Sequence, residues 1–166
     1  MICFLSIICF AAVGQTNKSE RPSPPDSVNI TTEDGVNIKI NYSRPSLKGR
    51  EIGVDIAPVG KIWRTGANEA TTFEINSDVT IDGKDLSAGK YSLYSIPGEQ
   101  QTTMIFNKTW DQWGTKYDEK EDALRVEVQN SSNAESQEKF EISATAKGAV
   151  TLTWGNYSII FNVKKK

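Results

Sequence analysis

The side chains best suited to binding a charged ligand are concentrated in residues 42–71, an irregular stretch between segments of alternating polar and apolar residues. Arg44, Arg50 and Arg64 all lie within it. A guanidinium group can donate two parallel hydrogen bonds to a carboxylate, phosphate or sulfate. The three arginines therefore indicate a pocket for such an anion. The alternative is that each arginine pairs with an acidic residue and holds the loops on the rest of the protein.

Carboxylates in the same stretch allow a second hypothesis. Glu51, Asp55 and Glu69 could supply the pair of carboxyl groups that hydrolyses a glycosidic bond, a reaction that requires two of them at a defined separation. Sequence spacing does not determine that separation, and carboxylates close to arginines are usually ionised partners. A hydrolase is therefore kept as an alternative to a binding protein.

The order of residues around Arg64 predicts a local geometry. Trp63 and Arg64 are neighbours, so in an extended segment their side chains point to opposite faces. We expect Trp63 to point inward and Arg64 outward. Gly66 permits a sharp turn after Thr65, which would return Asn68 and Glu69 to the side of Arg64. The predicted ligand site therefore combines this cluster with two further arginines and the tryptophan: Arg44, Arg50, Trp63, Arg64, Asn68 and Glu69.

Tryptophan side chains offer another kind of binding surface. Trp63, Trp110 and Trp113 could stack on sugar rings or on other flat apolar faces. The alternative is that each fills the core or the space beneath a loop, because buried aromatic residues dominate small β cores.

The composition excludes several classes of site. The chain has no histidine, and its two cysteines, Cys3 and Cys9, precede the predicted mature chain. Thiol nucleophiles, Ser-His triads and His/Cys zinc sites are thereby excluded. We predict no metal and no cofactor. The 19 basic and 21 acidic residues give a net charge of −2, which indicates no binding to nucleic acid or to an anionic membrane.

The N-terminal residues predict export. Residues 1–14 are apolar and end in small residues, which is typical of a signal peptide cleaved after Gly14. This apolar run is too short for a membrane span, and no transmembrane span is predicted in the mature chain. The proline-containing residues 15–26 are expected to form a flexible linker. The protein would then be periplasmic or extracellular.

Alternating apolar residues predict strands through the rest of the chain. A three-residue turn at 33–35 would pair Val28 with Ile40 and Ile30 with Ile38, and a two-residue turn at 82–83 would set Val79 opposite Leu86. Further strands are predicted by five segments: 71–75, 88–96, 103–107, 124–128 and 140–144.

Three predictions concern the last part of the chain. The polar residues 129–138 are expected to form a surface loop. A two-residue turn at 155–156 is expected to form a last hairpin, with Trp154 next to Tyr157 and Leu152 next to Ile159. The last three residues, 164–166, are expected to be a basic tail.

Nine or ten short strands without a helical segment predict an all-β protein. The expected architecture is one antiparallel β-sandwich domain at residues 27–163 that carries the long ordered loop insert, and a closed β-barrel is the alternative. About 150 residues suffice for one hydrophobic core. The oligomeric state stays open.

Four motifs resemble one known family: residues 42–46 (YSRPS), 48–52 (KGREI), 60–71 (GKIWRTGANEAT) and 88–93 (AGKYSL). In this order they resemble a bacterial family of exported proteins, domain of unknown function number 2911. The resemblance implies export and a single β-rich domain, and it implies no activity, ligand or catalytic residue. The segment 53–56 (GVDI) is more polar than the family pattern.

These observations favour a non-catalytic exported binding module whose Arg- and Trp-lined loop site holds a small anionic or glycan-like ligand. A carboxylate-based hydrolase is one alternative. A structural component of the cell envelope, in which the arginines serve only to hold the fold, is the other.

Overall fold

The structure is a computed structural model and describes residues 17–166. The predicted signal peptide at residues 1–14 therefore lies outside the described residues. In the described chain, two short 3-10 helices (Lys18–Glu20 and Glu119–Glu121) accompany nine strands: β1 Pro25–Thr31, β2 Asn37–Ser43, β3 Thr72–Ile75, β4 Val79–Ile81, β5 Lys84–Leu86, β6 Gly89–Ile96, β7 Gln101–Asn107, β8 Asp122–Ala144 and β9 Ala149–Lys165. None of its helices is long and apolar enough to cross a membrane.

All nine strands form one antiparallel sheet in the order β1-β2-β3-β6-β7-β8-β9-β4-β5. The predicted all-β antiparallel class is confirmed. The sheet does not close into a barrel, because the end strands β1 and β5 are not neighbours in this order. The strand β6 lies between β3 and β7 and is buried along most of its length.

The sheet folds over on itself like a sandwich because the long strand β8 pairs with β7 through its first residues and with β9 through its later ones. Residues 122–129 pair with β7, whereas residues from Asn130 onward pair with β9. The apolar faces of the two halves then meet. Phe161 of β9 packs against Phe73 of β3 and Phe106 of β7, with ring centroids 6.2 and 5.9 Å apart respectively. Tyr42 of β2 meets Phe140 of β8 at 5.8 Å.

The two hairpins with clear turn signals form as predicted. In the first, Val28 pairs with Ile40 and Ile30 with Ile38. In the second, Val79 pairs with Leu86. Both turns are set by residues adjacent in sequence, so local turn chemistry was sufficient to predict the register.

Two predictions about the second half of the chain are wrong. Residues 129–138 belong to β8 and form no separate loop, and Gly155 lies inside β9 with no hairpin there. β9 pairs instead with β8, so Leu152 lies opposite Ile142. Gly155 has a φ of +57°, so β9 departs from extended geometry there, and we call this point the bend of β9. The register of β8 shifts twice opposite this bend, between Ser132 and Gln137 and again before Glu141.

The second shift has a tertiary cause. Residues 138–140 of β8 bond to the loop insert, since Leu47 N–H donates to the Glu138 carbonyl and Phe140 N–H donates to the Pro45 carbonyl, each at 2.9 Å. The insert therefore takes a place along β8 that β9 would otherwise occupy.

Both ends of the described chain also differ from expectation. In the segment 15–26, expected to be a linker, Lys18–Glu20 form a 3-10 helix and β1 begins at Pro25. In the segment 164–166, expected to be a basic tail, Lys164 and Lys165 pair with β4. These segments meet folded partners that lie far away in sequence.

Candidate functional site

The loop insert between β2 and β3 is attached to the sheet at two points and to the loop after β7 at a third. Ser46 lies beside Lys139 of β8, and Trp63 lies beside Ser95 of β6. Glu69 lies beside Trp113 in the loop that follows β7. The Trp63 attachment has two backbone hydrogen bonds to Ser95, of 2.8 and 2.9 Å. The insert is thus an ordered extension of the sheet, in agreement with the sequence analysis.

Arg44 anchors the start of the insert. Its Nε donates to the Phe140 carbonyl at 3.0 Å, and one terminal nitrogen donates to Glu141 at 3.0 Å. The other terminal nitrogen lies 3.3 Å from the Asp26 carboxylate. Arg44 joins the insert to β1 and β8, so its guanidinium is occupied by the protein itself.

Arg50 is exposed and bonds to backbone carbonyls. Its guanidinium donates to Leu47 at 3.0 Å and to Ser46 at 2.7 Å. Two carbonyl bonds leave further donors of the guanidinium available, because the group has five N–H donors.

Trp63 points inward as predicted. Its ring stacks on Trp154 with centroids 5.4 Å apart and an interplanar angle of 15°. It also meets Phe140 edge-on at 5.3 Å. The Trp63 side chain therefore lies between the loop insert and the hydrophobic core, against which it packs.

Arg64 differs from the other arginines. Within residues 17–166 its guanidinium makes no hydrogen bond to a protein acceptor and no ion pair. Its aliphatic stem lies against Gly114, where an added Cβ would come within 2.7 Å of the Arg64 Cδ. Burial raises the pKa of Tyr94, and the nearby charge of Arg64 is among the influences that oppose this rise.

Arg64 lines a cleft of about 570 Å³, which we call the Arg64 cleft. It lies between the insert, the loop after β7 and the bend of β9. Its charged and aromatic lining includes Arg50, Asp55, Trp63, Arg64, Tyr117 and Trp154.

The turn after Thr65 forms as expected but does not bring Glu69 to Arg64. Gly66 takes a φ of +150°, and a Cβ there would lie 2.7 Å from Thr71 Oγ1. Beyond the turn, Asn68 donates to the Ser23 carbonyl at 2.9 Å. Asn68 nevertheless lies near the Arg64 stem, since its carbonyl oxygen and the Arg64 Cδ lie 2.9 and 2.7 Å from the same point next to Gly114. The predicted cluster fails for Glu69, whose carboxylate has its partners elsewhere.

Glu69 instead pairs with the N-terminal segment. Arg21 donates to both carboxylate oxygens at 3.0 Å, and Lys18 Nζ lies 2.9 Å away. Burial alone would raise the pKa of Glu69, but the hydrogen bonds from Lys18, from its own backbone and from Arg21 outweigh it and lower the pKa to about 2. A carboxyl group in this state remains ionised and has both its oxygens occupied.

The other acidic residues of the insert take part in a local turn. The Glu51 N–H donates to the Asp55 carboxylate at 2.9 Å, and the Asp55 N–H donates to the Glu51 carbonyl at 2.9 Å. No group of three acidic or metal-ligating side chains suited to a metal ion occurs in residues 17–166.

Of the six predicted site residues, the structure thus brings Arg50, Trp63 and Arg64 to one cleft. Arg44 is an anchor and Asn68 joins the insert to the N-terminal segment. Glu69 lines a different cleft.

This second cleft was missed by the sequence analysis. It has a volume of about 500 Å³, and we call it the Trp113 cleft. Its polar and aromatic lining includes Asn41, Glu69, Lys90, Trp110, Asp111 and Trp113. The only sequence signal was the pair of tryptophans in WDQWG at 110–114, which equally allowed burial.

Residues 23–163 match the model of one protein family, which is described as Protein of unknown function (DUF2911). The match confirms the resemblance of the four sequence motifs, and it extends over the whole sheet except the last two residues of β9. Comparison with curated proteins gives no significant match, and neither does comparison with solved structures.

Proposed function

The chain belongs to the DUF2911 family of proteins of unknown function, and we propose that it is an exported, non-catalytic binding module whose Arg64 cleft holds a small anionic ligand. The family description names no activity, so the proposal depends on the chemistry of the cleft and on the N-terminal sequence.

The observation that carries the proposal is the free guanidinium of Arg64. Arg21, Arg44 and Arg125 each pair with carboxylates, and Arg50 bonds to two carbonyls. Arg64 is half-buried and has no such partner among residues 17–166. A guanidinium held at a cleft without a partner is prepared to bind a carboxylate, phosphate or sulfate from solution.

The remaining lining indicates the size and character of the ligand. A volume of about 570 Å³ lies in the usual range for small-molecule sites. Trp63, Trp154 and Tyr117 provide aromatic surface for a flat or apolar portion of the ligand. Arg50 adds a second positive charge, and among residues 17–166 Asp55 is the only acidic residue of the lining.

The carboxylate-based hydrolase has less support. A general acid requires a carboxyl group with a raised pKa. Glu69 has a lowered pKa and two cationic partners, and Asp55 is engaged with the backbone of Glu51. The third hypothesis, a purely structural role for the insert arginines, fits Arg44 and does not account for Arg64.

Export to the periplasm or the extracellular space is part of the proposal. It is supported by the apolar residues 1–14 followed by a proline-containing segment. An unpartnered arginine cleft on an exported protein suits the capture of a ligand present outside the cytoplasm.

The test is native mass spectrometry of the protein recovered from its own host. We expect a mass excess on the wild-type protein that is lost in Arg64→Ala and reduced in Arg64→Lys, which keeps the charge but not the bidentate geometry. Lys147→Ala is the matched control, because it removes the same charge from an exposed residue at the β8–β9 turn that lines neither cleft. If Arg64→Ala retains the same adduct as the wild type, the proposed site is wrong.

A titration with known anions provides a second test when no ligand co-purifies. Citrate and inorganic phosphate are added to the wild-type protein, and the Arg64 Nε–H signal is followed by NMR. A saturable shift that Lys147→Ala retains supports the site. If neither anion causes a shift at about 10 mM, the binding free energy is weaker than about −3 kcal/mol, and this result counts against the proposed anion site.

A further inference from the structure

The Trp113 cleft is separate from the Arg64 cleft, although the two share a wall. That wall is a short backbone pairing in which Ala70 N–H donates to the Gln112 carbonyl and Gly114 N–H donates to the Asn68 carbonyl, each at 3.0 Å. The Arg64 cleft lies on the Gly114 side of the wall, and the Trp113 cleft lies on the Gln112 side. The chemistry of the second cleft therefore has to be explained separately.

Two tryptophans at the Trp113 cleft are unusually exposed. Trp110 is 39% exposed and Trp113 is 46% exposed. In contrast, Trp154 is 3% exposed and Trp63 packs on it within the core. Tryptophan contributes to stability mainly through burial, so packing within the chain does not explain why these two rings lie at the surface of a cleft.

The loop that carries these rings is held firmly from below. The side chain of Gln112 points into the protein and donates to the Tyr94 hydroxyl at 3.2 Å and to the Thr109 carbonyl at 2.9 Å. The Tyr94 hydroxyl in turn donates to the Lys116 carbonyl at 2.6 Å. The two exposed indoles therefore project from a fixed backbone, an arrangement that lowers the entropic cost of binding.

The two rings differ in their surroundings. Lys90 Nζ lies 4.1 Å from the centroid of the Trp110 ring, a cation–π contact that orients this indole. Trp113 has no aromatic or cationic partner, and its Nε1–H makes no hydrogen bond within the described residues. Trp113 is thus the ring that is available to a ligand.

Polar groups lie around this available ring. Asp111 is exposed and forms no hydrogen bond or ion pair through its carboxylate in the described chain. Asn41 uses its amide nitrogen to donate to Thr72 at 3.3 Å, which leaves its carbonyl oxygen as an acceptor. The cations Lys18 and Arg21 are already paired with Glu69, and Lys90 is paired with Glu74 at 3.7 Å. Among the described residues, the cleft therefore offers little unpaired positive charge.

We infer that the Trp113 cleft is a binding site for a neutral saccharide. One face of a pyranose ring carries C–H bonds and is apolar, whereas its edge carries hydroxyl groups. The apolar face would stack on Trp113, while hydroxyl groups would donate to Asp111 and Asn41. A purely apolar partner would leave these polar groups without partners, and an anion would find no free cation equivalent to Arg64.

The test uses cellotetraose and chitotetraose as probes with the full mature chain. Saturation-transfer NMR detects which sugar protons contact the protein, and backbone amide shifts identify the residues that respond. We expect saturable binding of at least one probe, with transfer strongest to the ring C–H protons and amide shifts at Asp111 and Asn41. Trp113→Ala should weaken binding tenfold or more, and Trp113→Phe should have a smaller effect.

Two controls separate this site from the proposed anion site. Arg64→Ala should bind the saccharide as the wild type does, so that failure of one proposal leaves the other intact. The urea midpoint of Trp113→Ala should fall only modestly, because 46% of the residue is exposed, so that the variant stays folded and its loss of binding is attributable to the missing ring. The inference is overturned if neither probe binds at about 10 mM or if Trp113→Ala binds as tightly as the wild type.

Discussion

Replacing Arg44 and Arg64 separately by alanine should lower the stability of the fold by different amounts, because these two arginines of the insert differ in what they contact. Arg44 donates to the carbonyl of buried Phe140 and contacts two carboxylates, whereas Arg64 contacts none in residues 17–166. Arg44→Ala should therefore destabilise the fold, and Arg64→Ala should remove only the packing of its aliphatic stem.

The size of the Arg44 effect follows from its three contacts. Loss of the donor to the Phe140 carbonyl leaves a buried acceptor unsatisfied, which costs about 1–3 kcal/mol. The pairs with Asp26 and Glu141 contribute less, about 0.2–1 kcal/mol each, because these carboxylates are 39% and 46% exposed. Glu141 also keeps the hydrogen bond from Gln137. We expect a total loss of about 2–4 kcal/mol for Arg44→Ala and of less than about 1 kcal/mol for Arg64→Ala.

Urea unfolding at neutral pH, followed by tryptophan fluorescence, measures both free energies of unfolding. A fall in midpoint with an unchanged slope identifies a change in stability alone. Arg44→Lys serves as the matched control: it keeps the charge but not the fork and should lie between wild type and Arg44→Ala. If Arg64→Ala falls as far as Arg44→Ala, Arg64 is structural, and the proposed anion site is refuted together with this reasoning.

Four further predictions concern other parts of the molecule. The folded-state pKa of Glu69 is lowered from 4.5 to about 2, so its stabilising effect should be complete above about pH 4.5 and lost as the pH falls towards 2. Because the Glu69 side chain is 41% exposed, we expect this contribution to the free energy of unfolding to be at most about 1 kcal/mol. Glu69→Gln should flatten the dependence of the urea midpoint on pH in this range, and a profile identical to that of the wild type would contradict the pairing. Gly114→Ala should lower the free energy of unfolding by about 1–3 kcal/mol, because the new Cβ would lie 2.7 Å from Arg64 Cδ and 2.9 Å from the Asn68 carbonyl oxygen. An unchanged urea midpoint would contradict this prediction and show that the neighbouring atoms move aside. N-terminal sequencing of the native protein should begin near Gln15, and a retained initiator methionine would disprove export. Elemental analysis should find less than one zinc, copper or iron per chain, since the chain has no histidine and no cysteine after residue 9.

The strands that sequence predicted well have turns whose chemistry is local. The register of Val79 with Leu86 follows from the two residues between the strands, and the structure has the same register. Gly155 shows the opposite case. A glycine next to an asparagine resembles a hairpin turn, but β9 continues through it with a φ of +57° at Gly155. Gly155 lies opposite the part of β8 where the pairing register shifts. There, residues 138–140 of β8 form hydrogen bonds with the loop insert, which is distant in sequence.

Sequence also determined which chemistry is excluded and how adjacent side chains point. The absence of histidine excludes Ser-His triads and histidine metal ligands by composition alone, whereas the exclusion of thiol sites depends on the proposed removal of residues 1–14, which contain Cys3 and Cys9. Trp63 points inward, as the alternation of an extended segment requires, and Arg64 lies on the cleft beside it.

Tertiary structure alone decided the partners of the charged groups. Arg44 meets Glu141, 97 positions away, and Glu69 meets Arg21, 48 positions away, although Glu51, Asp55 and Arg64 are much closer in sequence. Coulombic attraction and hydrogen bonding depend on distances of a few ångströms. Such distances arise only when the sheet folds on itself and brings the N-terminal segment and β8 to the insert. For the same reason, only the folded chain distinguishes the paired guanidinium of Arg44 from that of Arg64, which has no partner within residues 17–166.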